Sequence, residues 1–524
     1  MKRFLAILLA AAVIVTALCA LTATAEPATV TGNFTYYNNV TNADATYSFT
    51  FNEADFFAGT CYNHALAKMS LRLAMAAFAP ESVTALFDTL HFAYTDQSIH
   101  YPTPAFDYDA GTTTIGYAIG ARNCTDEQGN YTLVAVAVRG HGYGEEWGSN
   151  FEMGAGNRHA GFEKSAKQVT DGVFDFMKTS VAPGTRVKFW LTGFSRAAAV
   201  ANVTAHNLNE AIGDDTLDAT TDDVFAYTFE SPRTVTTDEP EYDSDLNIFN
   251  IVNPTDLVTQ LPPTDWGYVR YGIDCLLPDS ATTEGYDALK AREVAEFTKI
   301  LEAAGVANAA AEAETRSATI DNQTSRNIQF INDLAATFGD HQTFAANSER
   351  DLCTLLAAAL GENGDPLSLL LNNPFPASLA VIFGYMSNIE TVLYGHYPEL
   401  ELAWMDALTE EELSPTPGTI PTTSPSSTAT EPQPTAPSIV AGDVNADGLV
   451  NMKDVLLVRK YLASMPADLN LAAADMNGDG AVNMKDVLAL RKQLAGIGDT
   501  PKTTQKPTPT EPQHGIELPL IPIG

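Results

Sequence analysis

The sequence predicts an α/β fold, a mainly parallel sheet covered by helices, followed by a small all-α module. Three observations predict it. Short β-branched and aromatic runs alternate with helical patterns, as in a parallel sheet with helical crossovers. One of these runs, Val187–Leu191, leads through Gly193 and Ser195 into an alanine-rich helix. Near the C-terminus, a twelve-residue acidic segment starting at Asp443 returns at Asp475, each copy followed by a helical pattern. The length of 524 residues allows two or three domains, and a hydrophobic fraction of 45% suits a packed core.

The chain opens on Met1-Lys2-Arg3, then an apolar run from Phe4 to Leu21, then Ala23-Thr24-Ala25. That order predicts a signal peptide over residues 1–25, cleaved before Glu26. An uncleaved N-terminal anchor competes, because the run is nearly long enough to span a bilayer. No later segment is long and apolar enough, so the expected product is a secreted, extracellular protein without a transmembrane segment. The 29 Lys+Arg stand against 65 Asp+Glu, a formal net charge of −36. Such a balance excludes a nucleic-acid partner, which needs a concentrated basic surface, and disfavours anionic membranes. Cys61, Cys124, Cys275 and Cys353 lack metal-site spacing; an oxidising exterior permits two disulfides in three possible pairings, and buried thiols are the alternative.

Residues 26–413 read as one large domain. Its strands are Tyr131–Val138, Val187–Leu191, Val224–Phe229 and Ile248–Val252; helices include Ala65–Phe78 and Ala197–Leu208. From Thr283 to Phe338 the chain is rich in Ala and Glu and reads helical. This belongs to a helical insertion over about 277–390, either a cap over the site or a subdomain packed elsewhere. Residues 414–438 are mostly Pro, Thr and Ser, a composition that stays extended as a linker. Residues 439–498 form the small module, and 499–524 a Pro-rich tail with an apolar end.

Val187-Lys-Phe-Trp-Leu-Thr-Gly193-Phe194-Ser195-Arg196-Ala197 has the order of a nucleophile elbow. The sharp strand-to-helix turn needs a small residue two before the serine, and small residues after it let the helix close on the sheet. Ala197 stands where the second glycine of G-x-S-x-G is expected. A helix-capping serine is the plain alternative. Upstream lie Val134–Val138, Arg139-Gly140-His141, Trp147 and His159-Ala-Gly161-Phe162; downstream lie Phe229-Glu-Ser-Pro232-Arg233, Asn-Pro-Thr-Asp256 and Leu261-Pro-Pro263. This succession resembles the class 3 (fungal-type) lipase family and its bacterial relatives, which are α/β-hydrolases. The resemblance covers roughly residues 130–272. It implies Ser195 as nucleophile, Asp256 as acid, and the peptide N–H groups of His141 and Arg196 as oxyanion hole. The base must follow Asp256 in this fold, which leaves His396 or His341, His514 being in the tail. Tyr394-Gly-His396-Tyr-Pro-Glu resembles the histidine motif that closes the bacterial domains. Asp265 is an alternative acid. His64, His141, His159 and His206 are expected to be structural as side chains.

The repeat places oxygen ligands at positions 1, 3, 5, 9 and 12 of two loops, with glycine at 6, the pattern of a calcium loop. The ligands are Asp443, Asn445, Asp447, Asn451 and Asp454, then Asp475, Asn477, Asp479, Asn483 and Asp486; Leu449 and Ala481 give backbone carbonyls. The doublet resembles a type I dockerin over residues 441–497. That resemblance implies two Ca²⁺ and a cohesin module of a scaffoldin, as in cellulosomes. The cohesin-facing residues it implies are Met452, Lys453, Arg459 and Lys460, then Met484, Lys485, Arg491 and Lys492.

Together these readings describe a secreted, scaffold- or cell-surface-associated bacterial serine ester hydrolase with no cofactor for catalysis. Its substrate is an acylglycerol lipid or an acylated plant cell-wall carbohydrate. The alternative is a degenerate hydrolase fold displayed as a binding module, which Phe194 and Ala197 would favour.

Overall fold

The computed structural model describes residues 28–239, 244–360 and 393–413 of a larger unit. Of a smaller unit it describes residues 441–445, 450, 454–455, 457–458, 461, 469–476, 482, 486–487, 489–490 and 493. The expected signal segment, the linker and the tail lie outside the described residues.

The larger unit opens on an antiparallel hairpin, β1 (Thr29–Asn38) with β2 (Ala43–Asn52). Its centre is a seven-stranded sheet. In chain order the strands are β3 (Ile99–His100), β4 (Tyr117–Asp126), β5 (Gly129–Val138), β6 (Val187–Phe194), β7 (Val224–Phe229), β8 (Ile248–Val252) and β9 (Ile273–Leu276). The spatial order is β9-β8-β7-β6-β5-β4-β3. From β9 to β5 every pairing is parallel, while β4 runs antiparallel to β5 and to β3. The expected parallel centre is therefore present, with an antiparallel edge. Strands β6, β7 and β8 are buried at every position, which is why they read as continuous apolar runs rather than alternating ones.

Helices cover both faces. On one face, α1 (His64–Ala76) packs with the hairpin and with a late helix α8 (Pro398–Ala407) around Trp190, Phe225 and Phe249. On the other, α2 (Ala160–Ser180) and α3 (Arg196–Gly213) bury Val134, Val136, Phe189 and Leu191. Each such side chain contributes about 1.5–3 kcal/mol by leaving water.

The insertion begins with α4 (Tyr286–Ala303), α5 (Ala309–Phe338), α6 (His341–Asn347) and α7 (Glu349–Leu360). Its remainder falls outside the described residues. Leu334, Phe338, Phe344, Leu352 and Leu356 pack with Met153, Trp266 and Tyr268 in one cluster, so α5–α7 lie against the site end of the sheet. Cys61, Cys124, Cys275 and Cys353 are all buried, and none is joined in a disulfide. Burial pushes the Cys124 thiol up to about 12, as expected for inert core cysteines.

The smaller unit has its own core of Val444, Val455, Val458, Ala473, Ala474, Val487 and Leu490. These come from both copies of the repeat, so neither copy buries its apolar face alone.

Candidate active site

Ser195 occupies the sharp turn between β6 and α3, with φ 61° and ψ −130°. A non-glycine residue in that region is strained, and the surrounding contacts hold it there. A Cβ on Gly193 would lie 2.3 Å from the carbonyl oxygen of Ala197, so only glycine fits two residues before the serine. Residue 197 meets Gly193 through its backbone, and Ala197 is wholly buried. Alanine there is compatible with the close strand–helix contact.

The Ser195 amide donates to the carbonyl of Phe229 at 2.9 Å. The next amide, that of Arg196, opens α3, where N–H groups have no acceptor inside the helix. Gly140 brings its loop against β6: a Cβ there would sit 2.5 Å from the carbonyl oxygen of Phe194. His141 follows, stacked on Tyr37 with ring centroids 4.4 Å apart. Burial holds its imidazole below the ordinary range.

The turn Leu393–His396, just before α8, presents His396 to Ser195. Its Nε2 lies 2.7 Å from Ser195 Oγ and its Nδ1 2.6 Å from Asp256 Oδ2. A carboxylate only accepts, so Nδ1 carries the proton and donates to Asp256, leaving Nε2 to accept from Ser195. Asp256 is fully buried, and its Oδ1 accepts from the Val258 amide at 2.9 Å. Asn253 Nδ2 donates to the Gly395 carbonyl at 3.0 Å, tying the histidine turn to the loop of Asp256. The structure thus brings Ser195, Asp256 and His396 into one hydrogen-bonded line.

The alternatives lie elsewhere. His341 is buried in α6, edge-on to Tyr268 with centroids 5.5 Å apart. Asp265 is exposed in the turn Thr264–Trp266. His514 is outside the described residues. His159 caps α2 by accepting from the Phe162 amide, and burial holds it down to about 3. His206 lies 2.6 Å from Asp245 and is stacked on Tyr271. His64 reaches the Met405 carbonyl and Tyr62.

Two hollows meet at Ser195. One, of about 690 Å³ including its mouth, is lined by Trp147, Met153, Phe162, Pro262, Trp266 and Phe344. The other, of about 900 Å³ on the same measure, carries polar groups of Asn39, His141 and Tyr397 as well as His396. Beside the site, Arg196 Nη1 reaches Glu146 Oε2 at 3.2 Å, and Arg139 Nη2 reaches Glu146 Oε1 at 2.5 Å. Arg196 Nη2 also donates to Ser149 and Ser165, each at 3.0 Å. This network fixes the segment Gly144–Phe151 against α3. Buried ion networks leave no periodic trace, and sequence reasoning did not find Glu146.

In the smaller unit, the carboxylate of Asp454 accepts from the amides of Val444 at 2.8 Å and Asn445 at 3.2 Å. Position 12 of the first loop thus folds back on its start. Asp443, Asp454 and Asp486 are buried, and a donor set of buried carboxylates suits a hard cation. Asn445 and Asp475 are also described. The other expected ligands, Asp447, Leu449, Asn451, Asn477, Asp479, Ala481 and Asn483, lie outside the described residues. So do all eight expected cohesin-facing residues.

Residues 129–266 match the family model of lipase (class 3), and residues 441–495 match that of the dockerin type I domain. The chain carries a class 3 lipase-like α/β-hydrolase domain and a type I dockerin. The lipase match contains His141, Ser195, Arg196 and Asp256 and ends before His396; the dockerin match contains every expected calcium position. Similar solved structures include the triacylglyceride lipase of Rhizomucor miehei, 18% identical, over 41% of this chain and 80% of that one, with a TM-score of 0.28. A lipase from Rhizopus microsporus var. chinensis is 17% identical, over 40% and 72%, also at 0.28. No curated protein matches the chain. No described helix of the lipase-like or dockerin domain is long and apolar enough to cross a membrane.

Proposed function

We propose that the lipase-like domain is a secreted serine ester hydrolase in which Ser195 is the nucleophile, His396 the base and Asp256 the acid. The observation that carries this reading is the line Ser195–His396–Asp256, with separations of 2.7 and 2.6 Å, with an apolar pocket on the Ser195 side and a second cleft that also reaches His396. His396 takes the Ser195 proton as Oγ attacks the ester carbonyl, while Asp256 fixes the ring and stabilises the imidazolium that forms. The developing oxyanion is assigned to the amides of Arg196 and His141, since backbone donors fixed in the fold stabilise such a charge without reorganising. His396 then protonates the leaving alcohol, and water resolves the acyl-enzyme.

The apolar pocket favours an acyl chain longer than acetyl. Its walls of Trp147, Met153, Phe162 and Phe344 offer little to a short polar acyl group. The alcohol side falls in the second cleft, where Asn39, His141 and Tyr397 offer polar groups. A dockerin attaches an enzyme to a cellulosome-like scaffold by way of a cohesin, which keeps an acylated carbohydrate as the second substrate class. In the dockerin, Asp443, Asp454, Asp475 and Asp486, with the remaining loop oxygens, would hold two Ca²⁺ and so order the module. Calcium supplies charge and loop closure there, not catalysis.

Tributyrin, an olive-oil emulsion, acetylxylan and methyl ferulate, each offered to wild type and Ser195→Ala, test this. Hydrolysis of the first two, absent in the variant, is expected. Turnover confined to acetylxylan or methyl ferulate would move the substrate to carbohydrate esters. Undiminished turnover by a folded Ser195→Ala would remove Ser195 from the mechanism.

A further inference from the structure

Behind the catalytic line lies a second group of acids. Glu230 directly follows β7, 1% exposed, with φ 51°, a left-handed conformation that is uncommon for glutamate. Its Oε2 accepts from the Asn253 amide at 3.3 Å. Carboxylate oxygens of Glu230 and Asp256 and a ring nitrogen of His396 all lie within 4.8 Å of one another. Glu401, 1% exposed on α8, also meets Glu230, so Glu230 is in hydrogen-bonding reach of both Glu401 and Asp256.

The hydrogen bonds of this group do not close if every acid is ionised. Asp256 is satisfied by His396 and the Val258 amide. Glu230 Oε1 and both oxygens of Glu401 are buried with no donor among the described residues. Ionised, they would be acceptors facing acceptors in a water-poor site, an arrangement that buried like charges do not tolerate. Protons between the carboxyl groups resolve it, since a protonated acid donates through O–H.

We infer that Glu230 is a positioning residue for Asp256: it keeps its proton, donates it toward the catalytic acid, and is itself supported by Glu401, extending the line Ser195–His396–Asp256 by two members. This rests on the catalytic reading of Ser195. The groups facing Glu230 are Glu401 from α8, Asp256 from the loop after β8, and His396; those facing Glu401 are Glu230, Asp256 and His396. Burial pushes Glu230 well above the carboxylate range and Glu401 up to about 7. Glu230 and Glu401 therefore titrate as a pair above the ordinary carboxylate range. The negative charge that appears when the pair loses its first proton faces Asp256 and His396, so the pair couples the catalytic line to a second titration.

The test uses the full chain, a short nitrophenyl ester and the pH dependence of kcat and KM. E401Q removes the titrating charge while keeping the shape. Its acid limb is expected to move to lower pH, with KM unchanged. E230L removes the donor to Asp256 and is expected to lower kcat about tenfold to a hundredfold, the scale of one lost charge-assisted hydrogen bond. E230Q keeps an N–H donor and restores most of it. An E401Q profile that superimposes on wild type, or an E230Q as poor as E230L, overturns the inference. Infrared spectra read the protons without reference to catalysis. A protonated-carboxyl band in wild type near pH 6, diminished in both Gln variants, is expected even if Ser195 proves inert. An identical band in all three proteins overturns the inference independently of the catalytic reading.

Discussion

Glu146→Ala probes how the site is held together. Glu146 is 0% exposed, and the side chains of Arg139 and Arg196 that grip it are 7% and 1% exposed. Thr114 also donates to Oε1. Burial pushes the Glu146 carboxyl up even though Arg196 and Arg139 pull it down, so the intact network is not a large source of net stability. Its half-removal is nevertheless costly, because two guanidinium groups are left facing a void without a counter-charge. Breaking a buried pair from one side costs about 3–5 kcal/mol. A domain of about 390 residues unfolds with an entropy of roughly 0.8 kcal/mol/K, so its melting point should fall by about 4–6 °C. Calorimetry on the full chain, following the larger transition, measures this. Adding Arg139→Ala to Glu146→Ala should recover part of the loss, because one uncompensated cation is removed. A single variant melting within about 1 °C of wild type would refute the argument that this network locks Gly144–Phe151 against α3.

Two further predictions concern conditions. Burial pushes Glu399 up to about 7, above the ordinary 4.5. A raised carboxyl contributes stability that is full below its unfolded value and is lost as pH rises through its folded value. The melting point of wild type relative to Glu399→Gln should therefore fall as pH rises from about 4.5 to about 7; a difference that rises or stays flat over that window would contradict it. In the dockerin, EDTA should abolish the module's helical circular dichroism and its binding to a cohesin, with excess Ca²⁺ restoring both, since binding and folding are coupled at such sites. A module fully helical in chelator would contradict the calcium reading.

Much of the fold was legible because the central strands are buried on both faces. Val224–Phe229 and Ile248–Val252 stand in the structure with the bounds the sequence suggests. The edge was not legible. In Tyr117–Asp126, Gly120, Arg122 and Asn123 interrupt the β-forming pattern, and pairing with β5 overrides local preference. Ser195 was visible because an elbow demands small residues at fixed offsets. His396 was reachable only through its motif and chain order, 140 residues beyond its Asp256 partner. Glu146, Glu230 and Glu401 were invisible. Their burial depends on partners brought from distant segments, and a lone glutamate in sequence reads as surface. The place of the insertion was not legible either, since composition does not say that Leu334, Phe344 and Leu352 line the pocket beside Ser195.

The most direct test of the central claim is covalent labelling by a fluorophosphonate, with the adduct located by peptide mass spectrometry. The account predicts one adduct, on Ser195, absent in Ser195→Ala and formed far more slowly in His396→Ala. A natively folded chain that takes no label, or takes it on another residue, would contradict it.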